Sequence, residues 1–149
     1  MQTPFYRGAH HADSRVRPAV SLADAKRAIE AAEAEASANQ WAMVIAVVDS
    51  TGHLVALHKM DHAQFGSITI AQAKAQTAVN FKRPSKVFED AVAEGGLGLR
   101  LLATQGLCPL EDGIPLFRGG KLIGAIGASG AQSTQDGQVA MAGARVVQG

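Results

Sequence analysis

Three observations predict an α+β fold built on an antiparallel sheet. Two pairs of apolar runs are each joined by tight-turn chemistry, at Asp49-Ser50-Thr51-Gly52 and at Gly119-Gly120. A helical segment separates the pairs, and further helices stand at both ends of the chain. The order is therefore helix, hairpin, helix, irregular segment, hairpin, helix. It lacks the strand–helix alternation of a parallel sheet. Helices near the two ends can cover the sheet these hairpins form.

Residues 1–20 read as an irregular arm and residues 21–149 as the domain. The arm shows no period and holds Pro4, Gly8, Pro18 and the pair His10-His11. Ser21 opens the first helix, with Asp24 three residues on in a capping-box-like start. Leu22, Ala25, Ile29, Ala32 and Ala36 give it one apolar stripe, and Asn39 is its stop. Ala42–Val48 and His53–Met60 form the first hairpin, with a loop over Asp61–Gly66. Ser67–Lys82 is the second helix, ended by Pro84, and Lys86–Ala93 is a short third. Gly95, Gly96 and Gly98 break that pattern, and Leu99–Pro109 is a long connection. The second hairpin runs from Gly113 to Ser129. Ser133 with Asp136 repeats the capping-box spacing at the start of the last helix.

Composition narrows the function classes. The 149 residues suit one domain with a real core. A net charge of +1 and 5% aromatic residues give no basis for a nucleic-acid or anionic-membrane partner. Cys108 is the single cysteine, so no intrachain disulfide forms. No run is long enough for a membrane-spanning helix, and the first residues lack the apolar core of a secretory signal. The expected compartment is the cytoplasm.

Several motifs invite chemistry. Gly127-Ala128-Ser129-Gly130-Ala131 is close to a nucleophile elbow, but no histidine follows Ser129, so a serine hydrolase is rejected. Ser129-Gly130 reads better as a strand-to-helix turn, either a plain glycine turn or one whose N–H groups hold a carboxylate. Gly119-Gly120-Lys121 lies in a hairpin and precedes Leu122, so it is not a P-loop. His53 and His58 fall on opposite strand faces and cannot share an ion easily. His62 follows Asp61 in a loop, where functional side chains concentrate. Glu30 and Glu33 lie on one helix face, as a weak cation site or, more commonly, as a solvated face. Cys108 lacks an identifiable base, so a plain structural thiol is expected.

On the second helix, Ile70, Lys74, Thr77 and Phe81 share one stripe, while Ala71, Ala75 and Ala78 form a smooth one suited to the sheet. Lys74 either points into a cleft and attracts an anion or snorkels at its edge. Lys82 and Arg83 add charge at the helix end, where they also suit the helix dipole. Glycines crowd the last strand and its exit. Such crowding marks a close approach, most simply of a flat ligand or another subunit.

Taken together, Ser21–Ala25, Ile45–Ala56, Lys59-Met60-Asp61, Lys74–Ala78, Phe81–Ser85, Gly113–Leu116, Gly124–Ala131 and Gln135-Asp136 resemble the GlcG/HbpS-like family, also called the haem-degrading domain family. The chain is similar too to the C-terminal domain of PduO-type cobalamin adenosyltransferases. The resemblance implies a profilin-like fold with a central antiparallel sheet and helices on its faces. It implies homo-oligomers, from dimer to octamer, and haem binding in some members. Other members lie among genes for small organic acid breakdown.

The reading that follows is an oligomer binding a small planar or carboxylated ligand, with haem the best single candidate. The pocket is expected between the second helix and the glycine-rich hairpin. Lys74 or Arg83 would pair with a carboxylate, His62 would ligate haem iron, and Thr77 and Ser129 would donate hydrogen bonds. Ala71, Gly124 and Gly127 would keep the wall low, and Gly130 would also belong to the binding site. The alternative is an enzyme of small organic acid catabolism, with Asp61 or His62 as general acid or base and Lys74 stabilising an anion. A third reading is a non-catalytic scaffold domain.

Overall fold

The computed structural model describes residues 18–148. The expected arm at residues 1–20 lies mostly outside the described residues, as do His10 and His11. Its end is visible: Val20 is buried, and its N–H donates to the Ile123 carbonyl at 2.8 Å.

The elements are α1 (Leu22–Ala38), β1 (Val44–Asp49), β2 (Leu54–Lys59), α2 (Gly66–Phe81), α3 (Lys86–Ala93), a 3-10 helix (Gly96–Ala103), β3 (Gly113–Arg118), β4 (Lys121–Ser129) and α4 (Ser133–Arg145). The strands form one sheet in the order β2-β1-β4-β3, every pair antiparallel. The α+β class expected from the two hairpins is the one found. The hairpins meet through their inner strands, with Val47 of β1 opposite Ile126 of β4.

Central strand β1 is buried on both faces, and alternation sends its side chains to two different layers. Ile45 and Val47 join Ile126, Ala128 and the buried stripes of α1 and α4 in the larger core. Val44, Ala46 and Val48 face α2 and meet Ala71, Ala75 and Ala78. The sheet is thus sandwiched between α2 and the α1–α4 pair. Ser21 caps α1 by accepting from the Asp24 N–H at 3.1 Å, and Asn39 ends it. Leu22, expected in the stripe, is exposed at the first turn of the helix.

Glycines set the distance between layers. A Cβ at Gly127 would stand 2.1 Å from the Ala71 carbonyl oxygen, and one at Gly113 would stand 1.9 Å from that of Lys74. Both strands therefore carry glycine where the backbone of α2 presses onto the sheet. The close approach that glycine crowding signals is that of a helix, so Gly127 does not form the wall of an open pocket. The 3-10 helix also departs from expectation. Gly95 does break the helical pattern, at φ +73°, but Gly96 and Gly98 then belong to a 3-10 run, which extends into the expected irregular connection and buries none of its residues.

Candidate functional site

Lys74 is placed by α2 at the middle of the sheet, where it is 2% exposed. Its ammonium neither snorkels nor stands free in a cleft. It donates to the Ala128 carbonyl at 2.9 Å and to Asp136 Oδ2 at 3.1 Å. A third oxygen, Asp112 Oδ2, lies 3.8 Å away. A buried ammonium survives only with such compensation, so Lys74 is already countered by the chain's own acids.

Asp136 takes the Ala131 N–H of the strand-to-helix turn, which leaves an incoming anion the turn's side chains. Its Oδ1 accepts from the Ala131 N–H at 2.8 Å while Oδ2 takes the lysine. The capping box forms one residue earlier than the sequence spacing suggests, between Gln132 and Gln135 instead of Ser133 and Asp136. That shift frees Asp136 to face inward. Burial pushes its carboxyl above the usual range, and the neighbouring Lys74 opposes the rise.

Asp112 was not singled out by sequence reasoning. It precedes β3, is 2% exposed, and adopts φ +103°, a region side-chain-bearing residues seldom enter. Neither carboxyl oxygen has a hydrogen-bond partner among the described residues. Burial pushes the carboxyl up to about 8; Lys74 opposes this, while Glu111, Asp136 and Glu89 add to it. The conformation is held from both sides by Ser85. That hydroxyl donates to the Leu110 carbonyl and accepts from the Gly113 N–H at 2.7 Å, and the Ser85 N–H donates to the Gly113 carbonyl at 2.9 Å. Strain persists where surroundings over-determine it. The only sequence signal was an Asp-Gly pair before an apolar run, which also reads as an ordinary turn.

A cleft of about 460 Å3 opens where α2 begins, β4 ends and α4 starts. Gln64, Ser67 and Ile70 line one side, the Ser129–Ser133 turn lines the other, and Lys74 and Asp136 also border it. It brings together three expected residues: Lys74, Ser129 and Gly130. Ser129 Oγ donates to Ser67 Oγ at 3.3 Å.

The other expected residues lie elsewhere. Thr77 is fully buried, with its hydroxyl donating to the Ala73 carbonyl and accepting from the Cys108 N–H, each at 2.8 Å. Arg83 lies beyond the far end of α2, whose last residue Phe81 is about 10 Å along the axis from Lys74, and its Nε donates to the Phe81 carbonyl. Asp61 borders a separate hollow of about 540 Å3 with Glu33, Trp41 and Lys59. Asp61 and Lys74 are therefore not neighbours in one site. His62 is exposed on the loop between β2 and α2 at φ +69°, two residues before Gln64. Phe65, on the same loop, is 84% exposed, with the Lys59 ammonium 5.5 Å from its ring centre.

His53 bonds the Thr51 hydroxyl, and His58 bonds Glu33. Among the described residues no group of three or more His, Cys, Asp or Glu could hold a metal ion. No described helix is long and apolar enough to cross a membrane.

Residues 20–145 match the family described as "Haem degrading protein HbpS-like". Protein GlcG of Escherichia coli K12 is 40% identical over 101 residues, covering 68% of this chain and 74% of that protein. The crystal structure of HbpS superposes with a TM-score of 0.81 at 29% identity, covering 96% of this chain and 98% of the other. A PduOC:heme complex superposes with a TM-score of 0.79 at 30% identity, covering 87% and 95%.

Proposed function

This chain belongs to the HbpS-like family, and on that footing we propose that it binds a small planar or carboxylated ligand, with haem the first candidate. The cleft between α2, the end of β4 and the start of α4 carries this reading. It sits where three elements converge, and its walls mix an aliphatic side chain, Ile70, with hydroxyl and amide groups. That mixture suits a ligand with a flat apolar body and a polar edge.

Haem is compatible with the residues present. His62 offers an exposed imidazole that would ligate the iron, and Phe65 offers an exposed aromatic face on the same loop. When bound, haem would supply iron-centred redox chemistry. This chain's side chains would bind and orient it. Ser129, Ser133 and Gln132 would receive its carboxylate edge, with the Lys74 ammonium behind them. Lys74 acts here at second hand, since Asp136 already holds its charge. Arg83 stays outside this seat.

The protein acts in the cytoplasm as a homo-oligomer in this reading. Self-association is supported by apolar side chains left uncovered, including Leu97, which is 79% exposed, and Leu102. A haemin titration tests the proposal. Saturable binding with a sharpened, shifted Soret band, lost or strongly weakened in His62→Ala, is the expected result. An unchanged free-haemin spectrum at saturating protein would overturn it.

A further inference from the structure

A second cavity, of about 350 Å3, opens between the start of α3, β3 and α4. Its walls are largely apolar, from Pro84, Ile114 and Met141, and Asp112 and Gly137 also line it. A Cβ at position 137 would stand 2.3 Å from Asp112 Oδ1, so glycine in α4 leaves room for the carboxyl.

Asp112 is anomalous in three independent ways. It is buried, its carboxyl lacks any hydrogen bond to a described residue, and its backbone adopts an unfavourable φ. Each feature is costly. Their coincidence at a cavity wall points to a group awaiting a partner from outside the chain.

Charge selects the partner. Lys74 faces Asp112 from α2, Lys86 and Glu89 from α3, Glu111 from the preceding loop, and Asp136 from α4. Both cations are engaged, Lys74 with Asp136 and Lys86 with Asp90 and Glu111. Acids outnumber bases, so an anionic ligand is repelled. A metal ion needs more donors than this wall supplies. One positive charge is wanting on the side of Asp112 away from Lys74.

We propose that this cavity binds a small primary amine, its ammonium on the Asp112 carboxylate and its hydrocarbon part against Pro84, Ile114 and Met141. Charges would then alternate along a row: Asp136, Lys74, Asp112, ligand. The raised proton affinity of Asp112 agrees, because amine binding at neutral pH would displace its proton. The proposal does not depend on the haem seat, from which Lys74 separates it.

Calorimetric titration with n-butylamine at pH 7 provides the test. Run in buffers of different ionisation enthalpy, it reads both affinity and protons released. The expected result is saturable binding with release of close to one proton. Affinity should fall about tenfold or more in Asp112→Asn, which keeps the side-chain shape, and in Met141→Lys, which places a resident cation at a wall and leaves Asp112 intact. Haemin binding should be unchanged in both. No butylamine binding at millimolar concentration, equal binding by the two folded variants, or tighter binding of n-butanol or butyrate would each overturn the proposal.

Discussion

Lys74 and Asp136 form a buried ion pair, Nζ to Oδ2 at 3.1 Å, across 62 residues of sequence. It ties the middle of α2 to the first turn of α4, and the same ammonium holds the Ala128 carbonyl at the end of β4. The candidate cleft is bordered by these three elements, so the pair sets its shape.

Lys74→Met should destabilise the protein by about 3–5 kcal/mol, because it leaves the Asp136 charge buried without a counter-ion. Combining it with Asp136→Leu should cost less than the two single changes added together. Urea denaturation of the double-mutant cycle measures both. Additive losses would mean that the pair is not coupled.

Stability should fall as pH rises from about 4 to about 8. The Asp112 carboxyl is raised from 3.8 to about 8 by burial. Across that window the folded state holds a proton that the unfolded state has lost, so raising pH favours unfolding. Above about 8 both states are ionised at this group and its effect levels off. Asp136, raised in the same direction by burial, adds to the slope. Asp112→Asn should flatten the dependence, as read from melting temperature against pH.

Gly127→Ala should lower stability by about 1–3 kcal/mol. The added methyl would meet the Ala71 carbonyl oxygen at 2.1 Å, a backbone atom that cannot swing aside. Thermal unfolding checks this. A neutral substitution would mean that α2 sits farther from the sheet.

The architecture was legible because its signals are local. Ser21 with Asp24 starts a helix, Gly119-Gly120 turns a hairpin, and Lys86–Ala93 is found as expected. The site was legible only in part. Lys74, Ser129 and Gly130 do converge, but Lys74 reads in the sequence as a cleft cation or a snorkelling edge residue, not as half of a buried ion pair. Its partners Asp112 and Asp136 lie 38 and 62 residues away, and no periodicity reports a contact across the sheet. Asp136 was masked further by a one-residue shift of the cap, which made it look like a capping acid. Glycine spacing at Gly113 and Gly127 announced a close approach without saying whether a helix or a ligand makes it. Thr77, on the same stripe as Lys74, is spent on Cys108, a bond no sequence pattern encodes.

Amide chemical-shift mapping with zinc protoporphyrin IX, a diamagnetic porphyrin carrying the same carboxylates as haem, tests the central claim most directly. Saturation should move the resonances of His62–Ile70 and Ser129–Ser133 together and leave those of Ser50, Thr51 and Lys121, around the hollow at the opposite end of α2, in place. Shifts confined to that opposite hollow, or none at all, would contradict the account.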